Sequence, residues 1–230
     1  GRLAPPRGAA LVAAVVAADL LRAGAGLNPM VDSSFFRPSP ELAAQLPRLA
    51  EGRVFTCNVE ESPAYLAARA ARGSDHELWS FATLVETLTP PSNLRLGVET
   101  ALSPDVTMLV PEERVLSPEE ASCRDLDRIL PRLREAAVVR VLSTTPLRHE
   151  DLAFEQTLRP ARTAPLPIHL YALARPRHFM ELDAPGASPG GPARVVSAHW
   201  RAGRIEAVVE SPRPAALLVR EGWAPGWRGE

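Results

Sequence analysis

Three side chains near the end of the sequence have the chemistry to bind a carbohydrate. Trp223 and Trp227 are four positions apart in a stretch of glycine and proline, and Arg228 follows directly. The flat face of an indole stacks on a sugar ring, and a guanidinium binds a phosphate or carboxylate through paired hydrogen bonds. The same tryptophans would also hold a turn against a sheet by burying their rings, and the pattern favours this structural role.

Two short clusters, Asp75-His76-Glu77 and His149-Glu150-Asp151, place a histidine beside carboxylates, as general acid–base chemistry requires. Neither has the His-Glu-x-x-His spacing that puts two zinc-binding histidines on one face of a helix. The first cluster opens a predicted helix, where acidic residues cap the backbone amides. The second follows a predicted strand and indicates a solvated loop. We therefore assign no catalytic residue, no metal site and no cofactor.

Cys57 and Cys123 are the two cysteines of the sequence. Neither has a second cysteine at the spacing of a metal site. Two interpretations stay open. The thiols are either buried as small apolar groups, or they form a disulfide, which requires an oxidising compartment.

Composition excludes several classes of function. The formal net charge is −1, so the chain has no general attraction to nucleic acid. All 26 basic residues are arginine, and without lysine there is neither Schiff-base catalysis nor a P-loop of the usual kind. The Gly-x-Ser-x-Gly motif of a nucleophilic serine is also absent. We therefore predict no nucleic-acid partner and no independent enzyme.

The elements that would position these residues change in type along the chain. Helices are predicted at residues 40–49, 62–72, 75–88 and 117–134. Strands are predicted at residues 53–57, 136–143, 152–158, 168–173, 179–182, 195–200, 204–210 and 215–220. Helices first and strands afterwards predict an α+β fold. It has an N-terminal apolar helix, a mixed helical middle, and a C-terminal antiparallel sheet or sandwich.

Local signals add detail to this prediction. Ser62 with Pro63 marks one helix start, and Ser117 with Glu120 has the spacing of a capping box. The helix at 75–88 should bury one apolar stripe, formed by Leu78, Phe81, Leu84, Val85 and Leu88. The strand at 217–219 should pair with the strand at 204–210 through the connection 211–214, and the two tryptophans should cover that sheet.

The N-terminal segment, residues 8–21, is apolar apart from Asp19. A membrane-spanning helix needs about 20 apolar residues, so this run is short. It is a buried soluble helix, the core of a signal peptide, or the outer end of a membrane helix. Apolar residues on all faces favour the membrane-linked interpretations, since a soluble surface helix is striped. We therefore expect the end of a transmembrane helix at 1–26, a mixed α/β extracytoplasmic region at 27–150, and a mainly antiparallel β region, truncated at its C-terminus, at 151–230.

Four short motifs carry a resemblance to a known family. They are Ala18-Asp19-Leu20-Leu21 with Leu27-Asn28-Pro29, Phe35-Phe36 with Pro38, Val138-Val139-Arg140-Val141-Leu142, and Leu217-Leu218-Val219 with Gly222-Trp223-Ala224-Pro225-Gly226-Trp227. Their order resembles the YfhO-like family of bacterial multi-spanning membrane proteins, which are similar to GT-C glycosyltransferases. Val141 departs from the family pattern, where tyrosine is usual.

The resemblance implies an extracytoplasmic domain at the bacterial cell membrane. Its partners would be the bilayer, through the N-terminal helix, and a lipid-linked sugar or a cell-envelope glycan. The family's catalytic aspartate lies in an early outer loop, and no residue here matches it. We therefore expect an accessory or acceptor-binding part without transferase activity of its own. The alternative is a non-catalytic binding or scaffold module of a membrane-anchored protein.

Overall fold

Helices and strands follow one another in the order that the sequence predicts, and the α+β fold is confirmed. The computed structural model describes residues 6–24, 33–73, 76–102, 116–183, 194–201, 204–212 and 214–220. They belong to two compact units, which divide between Arg37 and Pro38. The first unit contains helix α1 (Pro6–Gly24) and a 3-10 helix (Ser33–Phe36).

The described elements of the second unit begin with short helices and end with strands. The helices are α2 (Pro40–Ala43), α3 (Leu46–Leu49), α4 (Pro63–Ala71), α5 (His76–Glu86), α6 (Ser92–Arg95), α7 (Pro118–Ala121) and α8 (Leu126–Glu135). The strands are β1 (Arg53–Thr56), β2 (Val138–Ser143), β3 (Leu152–Leu158), β4 (Ile168–Leu173), β5 (Met180–Asp183), β6 (Arg194–Arg201), β7 (Arg204–Glu210) and β8 (Ala216–Val219). A further 3-10 helix (Ala161–Thr163) lies between β3 and β4.

Two of the predicted helix starts are formed by the expected side chains. The Ser62 hydroxyl accepts a hydrogen bond from the Tyr65 backbone N at 3.2 Å. The Ser117 hydroxyl and the Glu120 carboxylate each cap the other's backbone N, which completes the capping box. The helix predicted at 40–49 is instead split into α2 and α3. Pro47 lacks the backbone donor that a continuous helix would need at that position.

A four-stranded sheet in the order β1-β2-β4-β3 organises the second unit. β1 and β2 are parallel, and the other two pairs are antiparallel. The two central strands, β2 and β4, contribute buried side chains to both faces of the sheet. β5 with β8 and β6 with β7 form two separate antiparallel pairs.

The predicted pairing of β8 with β7 is wrong. β8 pairs with β5, with Val219 opposite Met180. The Arg220 backbone N donates to the Phe179 carbonyl at 2.9 Å, and its guanidinium donates to Glu181 at 2.8 Å. These bonds fix β8 beside β5, while β7 pairs with β6, its neighbour in sequence.

The sheet separates two apolar clusters. The α8-side core contains Phe55, Cys57, Leu116, Ala121, Cys123, Ile129, Leu130, Leu133, Val138, Val141, Leu152, Tyr171 and Leu173. The α2-side core contains Leu42, Leu49, Val54, Leu88, Val98, Leu142, Leu158, Ile168 and Leu170. Adjacent residues such as Val141 and Leu142 belong to different cores, because side chains alternate between the faces of a strand.

The apolar stripe predicted for α5 is only partly correct. Val85 and Leu88 are buried, but Leu78 and Phe81 are 55% and 60% exposed. The buried face is instead formed by Trp79, Ala82, Thr83, Val85 and Glu86. Stacking of Trp79 on Tyr65 and the contacts of the Glu86 carboxylate fix this rotation of the helix. The capping residue expected at Asp75 lies outside the described residues.

Candidate functional site

The three residues predicted to bind carbohydrate, Trp223, Trp227 and Arg228, lie outside the described residues. Their role in stacking on a sugar or in holding a turn therefore stays a prediction. The described features with functional consequences are a disulfide, the surface of α1, a histidine–carboxylate cluster, a buried glutamate and a polar groove.

Cys57 and Cys123 are joined by a disulfide, with an S–S distance of 2.01 Å. Cys57 follows β1, and Cys123 lies in the turn between α7 and α8. Both are buried in the α8-side core, with 4% and 5% of their surfaces exposed. The Asn58 backbone N also donates to the Ala121 carbonyl at 2.6 Å, so the same two segments are joined twice. The bond is part of the core and links positions 66 residues apart.

Helix α1 has an apolar surface that no described residue of its own unit covers. Every side chain described in it, at positions 10 and 12–22, is exposed. The large apolar ones are Val12, Val15, Val16, Leu20 and Leu21, which are between 52% and 75% exposed. Asp19 and Arg22 are the two charged residues at these positions. Within the described part of the chain, no helix combines the length and the apolar character needed to cross a bilayer.

The cluster at 149–151 lies in a loop, as predicted, but the loop is only partly solvated. Glu150 is exposed, whereas His149 is half-buried and Asp151 is buried, and these two residues form a clamp. The Asp151 backbone N donates to His149 Nδ1 at 3.0 Å, so the ring hydrogen lies on Nε2, which is 3.0 Å from Asp127 Oδ1. The Asp151 carboxylate binds Arg175 at 2.6 Å and Arg134 at 2.5 Å. The hydrogen bond from Arg175, followed by that from Arg134, lowers the pKa of Asp151 below its ordinary value.

These contacts give the clamp a role in holding the fold together. Arg134 belongs to α8, and Arg175 follows β4, so Asp151 joins both elements to the start of β3. The Asp151 carbonyl strengthens this link by accepting a hydrogen bond from the Ala174 backbone N at 2.8 Å. The described partners of His149 and Asp151 are arginines, a carboxylate and backbone groups, which hold the turn in place.

Glu86 is a fully buried carboxylate that sequence reasoning missed. It accepts hydrogen bonds from the Ser39 backbone N at 2.8 Å and the Ser39 hydroxyl at 2.7 Å. Arg162 Nε donates to it at 2.5 Å. Glu86 thereby ties the end of α5 to the start of α2 and to the 3-10 helix at 161–163. Its position among the apolar residues Leu84, Val85 and Leu88 is the one signal that could have indicated burial.

A polar groove with a volume of about 400 Å³ lies beside the edge strand β3. We call it the β3 groove. Its lining residues come from α2 and the turn after it, and from the end of β3: Glu41, Ala44, Gln45, Gln156, Thr157, Leu158 and Arg159. Sequence reasoning missed it, because its two sides are more than 100 positions apart and neither contains a motif.

In the part of the chain that the structure describes, no three His, Cys, Asp or Glu side chains converge on a point where they could hold a metal ion. No protein-family model, no curated protein and no solved structure matches this chain. The described residues define an α+β domain with a core disulfide, together with a helix that has an exposed apolar surface.

Proposed function

We propose that this chain is the extracytoplasmic domain of a bacterial membrane protein, held at the bilayer by α1. In this proposal the domain is an accessory or acceptor-binding part beside a lipid-linked-sugar glycosyltransferase, and it has no catalytic acid of its own. The observation that carries the proposal is the apolar surface of α1, whose described side chains are all exposed.

The free energy available from burying this surface is substantial. Moving one exposed valine or leucine side chain completely out of water contributes about 1.5–3 kcal/mol of favourable free energy. Val12, Val15, Val16, Leu20 and Leu21 are each at least half exposed, so a bilayer could gain on the order of 5 kcal/mol from these five alone. Asp19 and Arg22 lie near the C-terminal end of the helix, where charged groups can reach the interface between lipid and water.

The disulfide supports the extracytoplasmic location. Disulfides form and persist outside the cytosol, whereas cytosolic thiols are kept reduced. Cys57 and Cys123 are too well buried for a transient redox role at the surface. A permanent bond in the core is what a domain folded in an oxidising compartment would have.

The link to glycosyltransferases rests on the resemblance to the YfhO-like family. One of its motifs, residues 138–142, lies in β2, one of the two central strands, which pairs with both β1 and β4. A second candidate function, a non-catalytic binding module without a transferase partner, is favoured by the β3 groove. The upstream reading frame separates the two. About ten hydrophobic spans with an acidic residue in the first outer loop would support the transferase, and a cleaved signal peptide would support the binding module.

Flotation of the 230-residue chain with phosphatidylethanolamine and phosphatidylglycerol vesicles tests the attachment. We expect the chain to float with the vesicles and Leu20→Asp to reduce the bound fraction severalfold. Leu94→Asp is the matched control, because Leu94 is a similarly exposed leucine, at 74% against 67%, on α6 of the other unit. Equal binding by both variants, or no binding by the unsubstituted chain, would refute attachment through α1.

A further inference from the structure

We propose that two copies of this chain pair through the outer edge of β7 (Arg204–Glu210). The pairing is antiparallel, and Ala207 lies opposite Ala207 of the second copy. It joins two β6–β7 hairpins into one four-stranded sheet. The proposal goes beyond membrane attachment, because β6 and β7 belong to the second unit and helix α1 takes no part in the contact.

The outer edge of β7 is uncovered by any described strand. β7 pairs with β6 along one side, and no described strand pairs with its other side. None of its seven side chains is buried. An uncovered edge presents a row of backbone N–H and C=O groups, which can form hydrogen bonds with another strand. The edge is therefore able to accept a strand from a second molecule.

The edges of the four-stranded sheet are protected against such pairing, whereas β7 is not. The segment at 99–101 runs beside β1, where the Val54 backbone N donates to the Glu99 carbonyl at 2.8 Å. β3 is interrupted by a bulge at Glu155. Proline, lysine and bulges are the usual devices that keep an edge unpaired. β7 contains no proline or lysine, and the bulge of its hairpin lies on β6, at Val196.

The charges of β7 select the register of the pairing. With Ala207 on the twofold axis, Arg204 of each copy lies opposite Glu210 of the other, as an isologous contact requires. Opposite charges that face each other across two strands stabilise the pairing. The side chains of Arg204 and Glu210 are 62% and 60% exposed, so both can reach a second molecule.

Other registers bring like charges together or mismatch the faces of the strands. Shifting the register by two residues sets Glu206 opposite either Glu206 or Glu210 of the second copy. A parallel, in-register arrangement places every charged side chain beside its own copy. A shift of one residue turns the charged face of one strand towards the apolar face of the other. The register centred on Ala207 is the full-length pairing without these conflicts.

The same register extends an apolar face across the axis. Ile205, Ala207 and Val209 are alternate residues of β7 and therefore share one face of the hairpin. On β6, Val195 lies opposite Val209 and Ala198 lies opposite Ala207, so the strip is two strands wide. A contact along one strand edge is smaller than a standard interface of about 1,600 Å². We therefore expect a weak dimer, with a Kd in the micromolar range.

Disulfide cross-linking of the 230-residue chain tests the register. Cys57 and Cys123 are bonded to each other, so an introduced cysteine supplies the free thiol. Ala207→Cys should give a covalent dimer on oxidation with copper phenanthroline, because the two copies of this residue lie directly opposite each other. Excess detergent prevents α1 from bringing two chains into one micelle.

Ala198→Cys is the matched control. Ala198 is half-buried like Ala207 and lies opposite it on the same face of the hairpin. In the paired sheet, however, residue 198 is three strand spacings, or about 14 Å, from its own copy. Ala198→Cys should therefore remain monomeric under the same oxidation.

Charge exchange separates the proposed pairing from chance collisions. In the Ala207→Cys chain, either Arg204→Glu or Glu210→Arg should lower the cross-linked fraction severalfold, because like charges then face each other at both ends. An equal mixture of these two chains should restore the fraction, because the mixed dimer again has opposite charges at both ends. Circular dichroism should show that every variant is folded, since all the substituted positions are exposed or half-buried.

Two results would overturn the proposal. One is that Ala207→Cys is cross-linked no more than Ala198→Cys. The other is that the mixture of charge variants is cross-linked no better than either chain alone. Neither result bears on attachment through α1, which vesicle flotation tests separately.

Discussion

Buried polar side chains connect segments of this chain that are far apart in sequence. Glu86 is bonded to Ser39, 47 positions away, and to Arg162, 76 positions away. Asp151 is bonded to Arg134 and Arg175. In both cases one carboxylate receives several donors on its two oxygens, so replacing one oxygen with an amide nitrogen leaves some of those donors without an acceptor. The consequences differ, because the Glu86 side chain is fully buried whereas that of Asp151 keeps 11% of its surface exposed.

Glu86→Gln should destabilise the fold by about 3 kcal/mol, because it leaves the Arg162 guanidinium facing an amide and breaks a buried ion pair. This value is at the lower end of the roughly 3–5 kcal/mol that breaking a buried ion pair costs, since the Arg162 side chain is 25% exposed. Urea unfolding monitored by circular dichroism measures the change. Glu51→Gln is the control. Glu51 also pairs with an arginine, but its side chain is 63% exposed, so we expect a cost of less than about 0.5 kcal/mol. Similar costs for the two variants would show that the Glu86 contacts do not hold α5 in place.

Asp151 should contribute to the loss of stability in acid. Its pKa is lower in the folded chain than its ordinary value of 3.8. The stabilisation is therefore fully present above that value, and it is lost as the pH falls from 3.8 through the lower folded pKa. Asp151→Asn should flatten the dependence of unfolding free energy on pH in this window, and Glu60→Gln, at an exposed position, should not. An unchanged pH profile in Asp151→Asn would contradict the clamp.

Residues with local partners were predictable from the sequence, and residues with distant partners were not. Ser62, Ser117 and Glu120 act within one helical turn, so spacing alone indicated their roles. Glu86 owes its burial to segments that approach only in the folded chain, and the same holds for the buried amide nitrogen of Gln156. No periodicity or motif encodes such an approach.

At the scale of elements, the orientation of α5 shows how a polar contact can decide which helix face is buried. The 3-4 spacing of apolar residues places Leu78 and Phe81 on the predicted core face, yet both are exposed. Trp79 is buried instead, 5.2 Å from the Tyr65 ring between centroids. Helical spacing indicates that an apolar stripe exists, but the bonds of Glu86 determine how the helix is turned.

Two substitutions on α5 distinguish the observed face from the predicted one. Trp79→Ala should cost about 3–5 kcal/mol, because it opens a cavity beside Tyr65. Phe81→Ser, at a 60% exposed position, should cost less than about 1 kcal/mol. Thermal and urea unfolding of both variants measure the difference. A larger cost for Phe81→Ser would mean that its ring is covered, and that the helix is turned as the spacing alone suggests.

The strands were largely predictable, and their pairing was not. β3, β4 and β7 occupy the predicted residues, since alternation and turn residues define each strand locally. The partner of β8 depends on Arg220 and Glu181, which are 39 positions apart. β6 and β7 are neighbours in sequence and pair with each other. β8, in contrast, pairs with β5, which is more distant in sequence.

At the scale of the whole molecule, the chain combines an apolar helix with a disulfide-bonded domain. An exposed apolar helix by itself would equally suit a protein partner, and a buried disulfide by itself implies no membrane. Together they fit the proposal of a domain outside the cytoplasm and next to a bilayer. The central claim is therefore that the second unit folds outside the cytoplasm.

The thiol state of Cys57 and Cys123 in the native cell tests that claim most directly. Cells are quenched in acid, and the protein is alkylated with a polyethylene glycol maleimide, with and without prior reduction. If the second unit folds outside the cytoplasm, we expect no mass shift before reduction and modification of both cysteines after it. Modification of both cysteines without reduction would place the chain in a reducing compartment and contradict the extracytoplasmic location.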